Sequence, residues 1–470
     1  MPGVYVTVTV QALLSAYGGN GCGTAHPRSL DDVIPEDEPP RSARLRLPMS
    51  TKLHDLDTGD AYEDIVDHDT YVRGVPHSTF ARLRRDDPVS WWDEHDGGKG
   101  FWAVTRHRDL LEVSRNPETF TCARGIRLEE MAPDELVARR TMLEMDPPEH
   151  TKLRRLVQRG FTKRVVDSYE DVFRQLTALQ LDTVLAKGSF DFVTDIAREL
   201  PIRLLAGLLG VPAADSTDLV EWADGMISNA DPEFTDHVID QVDTDEFRLL
   251  PFRSPAALKV FRYAEEARQQ RLAHPTDDLI TTLLSPMPDG EPLTDLEFKN
   301  FFGLLIVAGN DTTRHTISHG LLALLEHRDQ LDAWQSNPAL GATAADEILR
   351  WSSVTMHFRR TATRDVELGG RAIKAGDKVV MWFGSANVDS DKFDDPFRFD
   401  LARTPNEHVA FGLSSPHICL GAWLARLEVR VTFEELLRRV SDVRIVGPVE
   451  RLRSNFISGI KHLPVEVVRR

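Results

Sequence analysis

A chain of 470 residues, 41% hydrophobic and 28% charged, has the balance of a globular protein in water and is long enough for one large domain or two to three ordinary ones. Its net charge of −18 argues against a general affinity for nucleic acid or anionic membranes, while leaving room for a local basic patch that fits a small acidic partner protein. Three scattered cysteines (Cys22, Cys122, Cys419) are not a disulfide framework, and no stretch reaches the roughly 18–20 apolar residues of a membrane span, so a reducing, cytoplasmic setting is expected.

Residues 1–54 mix Gly, Ser, Pro and acidic side chains, as in DDVIPEDEPPRS, and are read as a disordered extension. The opening MPGVYVTVTVQALL is mildly apolar but lacks a basic n-region, so a signal peptide is not expected; Met49 offers an alternative start. Residues 55–470 read as one folded domain. PVSWWDEHDGGKGFWAVTRH suggests two strands around a Gly-Gly turn, and RDLLEVSRNPETF returns to helical period. From Pro147 to Glu326 nearly everything reads as amphipathic helix with short breaks. A second strand-rich patch, FRRTATRDVELGGRAIKAGDKVVMWF, carries Gly369-Gly370 and Ala375-Gly376 as turn signals. The chain closes with a helix after Cys419 and short strands near VRIV and PVEVVRR. Helices before, between and after the strand patches indicate a mainly α (α+β) domain.

Within the helical stretch, TDLEFKNFFGLLIVAGNDTTRHTISHGLLALLEH opens with Thr294 and Glu297 at capping-box spacing and predicts a helix of about thirty residues. Its middle, Phe301 to Ala308, is apolar all round, as in a helix through the centre of a core. Gly309, Asn310, Asp311, Thr312 and Thr313 then arrive together. A bent helix with Thr back-bonding explains a lone Thr-Thr pair. An acid beside an alcohol here also fits a water-filled groove that passes protons to something bound against Gly309. His315 and His319 stand at i,i+4, but no Glu follows His315 as in a zinc-protease helix, so a solvated face is expected for them.

Cys419 admits four readings. As a buried apolar residue it needs no Gly or His nearby, and as a zinc ligand it lacks companion cysteines. As a nucleophile it has a candidate base in His417. As an axial ligand to haem iron it needs a helix N-terminus that favours thiolate and small neighbours past which a flat cofactor can approach, and Gly421 qualifies. The last two stay open on the local motif.

The wider constellation is more pointed. Phe411-Gly412, His417 and Gly421-Ala422 around Cys419 resemble the haem-binding loop of the cytochrome P450 family. Ala308-Gly-Asn-Asp311-Thr312-Thr313 resembles that family's oxygen-activating helix, and Glu347-Ile-Leu-Arg350 its Glu-x-x-Arg helix. SANVDSDKFDDPFRFDLAR resembles the segment that completes the latter network, with Arg403 as third member. The four motifs stand in the family's order and cover about residues 55–468.

The resemblance implies the cytochrome P450 fold: a triangular, helix-rich domain with small β-sheets and haem b between the long central helix and the cysteine-loop helix. It implies Cys419 as the metal ligand, a thiolate on iron. His150 and Arg154, i,i+4 on one helix face, match a pair that grips a haem propionate; Arg360, in preference to the adjacent Arg359, and His417 match further partners. Phe411 and Gly421 would shape the approach to the cysteine, with Ala308 and Gly309 over the haem face. Asp311 and Thr312 match the acid–alcohol pair to which proton delivery is assigned, whereas Glu347, Arg350 and Arg403 match a structural network. The implied reaction inserts one oxygen atom of O2 into a C–H bond of an apolar small molecule. Electrons would come from a ferredoxin and a ferredoxin reductase, because the chain has no dinucleotide fingerprint and no iron–sulfur cysteine spacing.

Stretches such as EMDPPEHTKLRR, AGNDTTR and SNFISGIKHLPVEV are especially similar to soluble bacterial hydroxylases of sterol side chains and methyl-branched lipids, which implies attack at a terminal or near-terminal carbon. Two features depart from that subgroup. Leu413-Ser414-Ser415-Pro416 replaces a glycine-rich loop and should stiffen it, and the region DTDEFRLLPFRSPAALKVF is longer over the expected substrate entrance. A longer lid also suits a terpenoid, polyketide or macrolide, making a tailoring oxidase of secondary metabolism the alternative. A non-catalytic haem-binding protein, which would not need Asp311-Thr312, is the remote one. Pocket positions are expected at 126–131, 354–357 and 456–457.

Overall fold

Trp91 and Trp92 do sit on a strand, and the Gly-Gly turn does fold it back. In the computed structural model, which describes residues 62–95, 97–287 and 290–470, α1 (His77–Asp86) leads into β1 (Val89–Trp92) and β2 (Phe101–Val104), paired antiparallel. The expected extension over residues 1–54 lies outside the described residues, as do the first residues of the expected domain. Next come α2 (His107–Arg115), β3 (Phe120–Thr121) and α3 (Pro133–Ala138).

The helical stretch then supplies α4 (Glu149–Val157), α5 (Glu170–Val184), α6 (Glu199–Leu209), α7 (Ser216–Ile227), α8 (Ala256–Ala273), α9 (Asp295–Glu326), α10 (Arg328–Ser336) and α11 (Gly341–Ser352). Two departures interrupt it. A short strand, β4 (Ser189–Asp191), lies between α5 and α6. Residues 228–255 form no long helix but two short 3-10 turns, Asp245–Phe247 and Pro251–Arg253. Pro232, Pro251 and Pro255 and a run of aspartates oppose helix there. Ion pairs hold the segment instead: Arg453 reaches Asp69 at 2.6 Å and Asp240 at 2.8 Å, and Arg253 reaches Glu135 at 2.9 Å.

The second strand patch gives β5 (His357–Ala362), β6 (Val366–Leu368), β7 (Arg371–Ile373) and β8 (Lys378–Trp382), and the chain ends with α12 (Ala422–Arg439), β9 (Val440–Ile445), β10 (Glu450–Arg451), β11 (Ile460–His462) and β12 (Pro464–Arg469). The largest sheet runs β1-β2-β8-β5-β3, antiparallel except where β8 lies parallel to β2. A second sheet, β4-β12-β9, is antiparallel throughout.

The centre of the molecule is α9. Its capping box forms, with Thr294 Oγ1 accepting from the Glu297 N–H at 3.3 Å and Glu297 Oε2 accepting from the Thr294 N–H at 2.9 Å. It packs against α6, α7, α8, α11 and α12. At Gly320 a Cβ would stand 2.8 Å from a Phe433 ring carbon and 2.9 Å from Ile348 Cγ2, so glycine is what lets α11 and α12 cross this closely. Phe298, Phe301, Phe302 and Ile306 are fully or almost fully buried, each worth about 1.5–3 kcal/mol by transfer out of water.

The solvated face expected for His315 and His319 is not observed; both are buried, at 1% and 9% exposure. The segment leading into β11 returns across α9 and its backbone supplies their partners. His315 Nδ1 accepts from the Ile460 N–H at 3.2 Å, and His319 Nε2 donates to the Ser458 carbonyl at 3.1 Å. Buried backbone groups without a ladder partner find one in these imidazoles.

Candidate active site

Cys419 lies three residues ahead of α12, in the turn that feeds the helix and not within it. Its N–H donates to the Phe411 carbonyl at 2.9 Å, and its side chain is enclosed by protein yet accessible, because it faces a cavity of about 310 Å³. Burial pushes the thiol up, against the Gly421 N–H aimed at the sulfur and the charges of Arg154 and Arg426, which pull it down. A Cβ on Gly421 would meet nothing within 4 Å, so the approach to the sulfur is open.

The loop before the cysteine is pinned by side chains. Arg426 lies 4.7 Å from the Phe411 ring centroid and reaches Asp346 at 2.7 Å, and Asp346 also holds His408 at 3.0 Å. Ser415 Oγ accepts from the His417 N–H, and Arg115 donates to Ser414 Oγ, each at 3.1 Å. Ser414 has φ +57°, the left-handed region a glycine occupies without strain. The serine-rich departure is therefore a loop held by specific bonds where glycines would leave it free.

Ten of the expected site residues meet at this one cavity. Cys419, Phe411, His417 and Gly421 line it from the cysteine loop; Ala308, Gly309 and Thr312 line it from α9; His150 and Arg154 line it from α4, and Arg360 from β5. The choice between neighbouring arginines follows strand alternation: Arg359 turns the other way, to the Glu129 carbonyl at 2.9 Å and Glu130 at 3.3 Å. Gly309 has a second reason to be glycine, since its Cβ would stand 3.0 Å from Leu205 of α6.

Asp311 is the exception, because it does not line the cavity. Successive helix residues point about 100° apart, so the acid and the alcohol face different ways. Thr312 Oγ1 faces the cavity and donates to the Ala308 carbonyl at 2.8 Å. The Asp311 carboxylate is fully buried against Arg314, which reaches Asp224 of α7 at 2.6 Å; Asp224 in turn holds Arg198 at 3.0 Å. Burial pushes the Asp311 carboxyl up and the Arg314 charge opposes it.

The basic groups around the cysteine share one property. Both ring nitrogens of His150 are buried without a hydrogen-bond partner, and among the described residues neither Arg154 nor Arg360 has an ion pair. His150 packs 4.1 Å from the His417 ring centroid. Burial and the nearby arginines hold both imidazoles neutral, His150 pushed down to about 4. Two desolvated guanidiniums beside unpaired ring nitrogens call for an acidic ligand.

Other lining residues carried little sequence signal. Glu428 on α12 is 2% exposed, enters the cavity wall beside Thr313 and has its carboxyl pushed well up by burial, against the Thr313 hydrogen bond. Phe252 comes from the 228–255 segment. Of the expected pocket positions, Ile126, Arg127, Met131, Val354, Thr355, Phe456 and Ile457 line the cavity; Leu128, Glu129, Glu130, Met356 and His357 do not.

Residues 340–443 match the sequence pattern of the family described as Cytochrome P450. The chain is also 37% identical over 413 residues to the steroid C26-monooxygenase of Mycolicibacterium smegmatis, covering 86% of this chain and 93% of that protein. The chain belongs to the cytochrome P450 family. This P450 is 37% identical over 427 residues to the methyl-branched lipid omega-hydroxylase of Mycobacterium tuberculosis, covering 89% and 96% of the two. Its fold matches the solved structure of Mycobacterium marinum cytochrome P450 CYP268A2 in complex with pseudoionone with a TM-score of 0.78, at 38% identity, covering 87% of this chain and 100% of that one.

As a P450 the protein is a monooxygenase with haem as its prosthetic group, and it uses O2, an organic substrate and an electron donor. The residues present fit haem: a thiol with an open approach and an apolar cavity wall, beside unpaired basic groups of the kind two propionates require. Among the described residues no helix is long and apolar enough to cross a membrane.

Proposed function

We propose that this P450 oxidises a large apolar molecule, a sterol side chain, a methyl-branched lipid or a terpenoid, at a terminal or near-terminal carbon, with electrons from a ferredoxin and its reductase. The observation that carries this reading is the 37% identity, over most of each chain, to two relatives named for attack at the end of an apolar skeleton, at C26 and at the omega position. The apolar wall, which includes Leu304, Leu305, Val307, Leu349, Val354 and Phe456, supports it.

In this reading Cys419 Sγ holds the iron, and His150, Arg154, Arg360 and His417 hold the propionates. Phe411 and Gly421 leave the sulfur approachable, and Ala308 and Gly309 keep the opposite wall low. Haem, when bound, supplies an iron centre that activates O2, with the thiolate donating electron density. Thr312 Oγ1 presents a proton inside the cavity in exchange for its bond to Ala308 O. Asp311 replenishes it only by turning away from Arg314, so the Arg314–Asp224 pair limits when that happens. A second reading, a tailoring oxidase of secondary metabolism, draws on the 228–255 segment, whose Phe252 alters the cavity wall.

The test is one reconstituted assay. The haem-loaded enzyme, with ferredoxin, reductase and NADPH, meets cholest-4-en-3-one, a branched fatty acid, a sesquiterpene and a macrolide. A low-to-high-spin shift and a mono-oxygenated product are expected with the first three classes only; a macrolide as sole substrate would sink the reading. In the same assay Thr312→Ala should retain haem but divert NADPH electrons to hydrogen peroxide. Unchanged coupling would remove Thr312 from proton delivery.

A further inference from the structure

Arg127 is a charge in the cavity wall that the protein meets with one carboxylate held beyond good hydrogen-bond distance. Its guanidinium lies 5.3 Å from the Phe252 ring centroid and 5.0 Å from that of Phe456, and all three residues line the cavity. Nη1 is buried without a hydrogen-bond partner, and the side chain is only 12% exposed. The nearest carboxylate, Glu129, stands 3.7 Å from Nε, too far for a good hydrogen bond, and is already engaged by Arg139 at 2.6 Å.

The neighbours sharpen the imbalance. Arg139 also lines the cavity, and its Nη1 is likewise buried without a hydrogen-bond partner, 3.9 Å from the Glu135 carboxylate. Arg253 closes the group, paired with Glu135 at 2.9 Å. Three guanidiniums thus face two buried or half-buried carboxylates. Glu144, which also lines the cavity, spends its Oε2 on the Thr141 N–H and hydroxyl, at 3.0 and 2.6 Å, and pairs with none of the three guanidiniums among the described residues; Asp245, which touches Arg253, is 73% exposed. Burial lowers the Arg127 pKa, as expected for a cation whose desolvation is incompletely repaid.

The position of Phe252 is a separate observation. Phe252 and Arg253 adopt φ +59° and +50°, two consecutive non-glycine residues in the left-handed region. That conformation is costly and persists only where neighbours enforce it, here the Arg253–Glu135 pair and the Asn229 side chain donating to the Phe252 carbonyl at 2.7 Å. The strained turn sets a ring against Arg127 and so dictates how the fork can be met. A guanidinium packed among aromatic rings finds no acceptor in them, and its N–H fork is the group that takes a carboxylate through two parallel donors. A pure hydrocarbon in the same cavity would leave those donors buried and unpaired.

We infer that Arg127, with Arg139 beside it, is a head-group subsite, and that the substrate is an amphipathic acid: an apolar chain or ring system ending in a carboxylate bound at Arg127. This rests on the proposed reading of a large apolar substrate and narrows it to the acid-terminated members of that class.

The experiment is a spin-state titration of the haem-loaded enzyme at pH 7.5 with 15-methylhexadecanoic acid, its methyl ester and cholest-4-en-3-one. The acid is expected to bind at least about tenfold more tightly than its ester, a ratio that collapses to within about twofold in Arg127→Gln and stays intermediate in Arg127→Lys. The ferrous carbon monoxide band of each variant reports whether its cysteine-ligated haem is intact. Equal affinity for acid and ester in the unmodified enzyme overturns the inference, as does an unchanged ratio in Arg127→Gln. Should Arg127→Gln not load haem, the ratio in the unmodified enzyme and in Arg127→Lys decides. If cholest-4-en-3-one is bound and oxidised while the acid is not, the head-group subsite falls and the proposed function stands; if none of the three probes shifts the spin state, the substrate class itself falls.

Discussion

His357 shows how far a single site can be driven by its surroundings. The ring is 1% exposed and packs 4.8 Å from Trp382 and 5.4 Å from Phe456, centroid to centroid. Burial is the main cause that pushes its pKa down to about 3; Arg127 and His68 add to it and Glu129 opposes. The unfolded chain therefore binds the proton first as pH falls below about 6.5, so the stability His357 contributes is intact above that value and is lost progressively toward pH 3. At pH 5.5 the loss is on the order of 1 kcal/mol for one such histidine. His319, pushed down to about 3 by burial, acts in the same sense. Urea unfolding of the enzyme should show a lower midpoint at pH 5.5 than at pH 7, and His357→Phe, which keeps the ring stack, should recover on the order of 1 kcal/mol of that fall. An identical pH dependence in the variant would show that the imidazole is not the group titrating.

Between elements, the firmest joint is the one that braces the cysteine loop. Arg350 of α11 holds both oxygens of Glu347, at 2.8 and 2.7 Å, and Arg403 adds a bond to Glu347 at 3.1 Å. Arg350 also donates to the carbonyl of Asn387 at 2.9 Å, and the Asn387 side chain accepts from the Val409 N–H at 2.7 Å, two residues ahead of Phe411. Glu347 and Arg350 are both 0% exposed. Glu347→Gln leaves two guanidiniums short of a countercharge and should cost about 3–5 kcal/mol, read as a lower urea midpoint together with reduced haem content. A variant with normal stability and full haem would show that the network is dispensable to the loop. This joint was legible because Glu347 and Arg350 stand at i,i+3 and the distant Arg403 falls in a segment that the family resemblance supplied. So were the start of α9, through Thr294 and Glu297, and the β1–β2 hairpin, through its glycines. What could not be read was set by partners far along the chain: Ser458 and Ile460 bury His319 and His315, and Asp224 anchors the arginine that turns Asp311 out of the cavity. Arg127 stood among the expected pocket positions 126–131, but its setting between rings contributed by residues 252 and 456 could not be read from that stretch.

At the scale of the whole molecule, the charge that argues against nucleic acid also bears on the proposed electron donor. A net charge of −18 repels an acidic ferredoxin at long range, so productive docking has to rely on a local reversal of sign. The surface beside Cys419 has that character. Ile418 and Trp423 are exposed at 37% and 44%, with Lys163 5.8 Å and Arg426 5.2 Å from the Trp423 ring centroid. Arg115 reaches the same loop through Ser414. An apolar centre edged by cations, two of them also held by Asp167 and Asp346, is the shape of an interface whose contacts are formed by burial and whose encounter is steered by charge. Raising salt weakens both the global repulsion and the local attraction, but the local cations stand closest to the partner, within a Debye length of about 8–10 Å, so their loss should dominate at the bound distance. Reduction by an acidic ferredoxin should therefore slow as ionic strength rises from 50 to 300 mM, while reduction by dithionite with a neutral mediator stays flat. The double substitution Arg115→Glu with Lys163→Glu should raise the KM for ferredoxin several-fold and flatten that salt dependence, with kcat at saturating ferredoxin little changed. A KM that ignores both substitutions would move the docking surface elsewhere on the molecule.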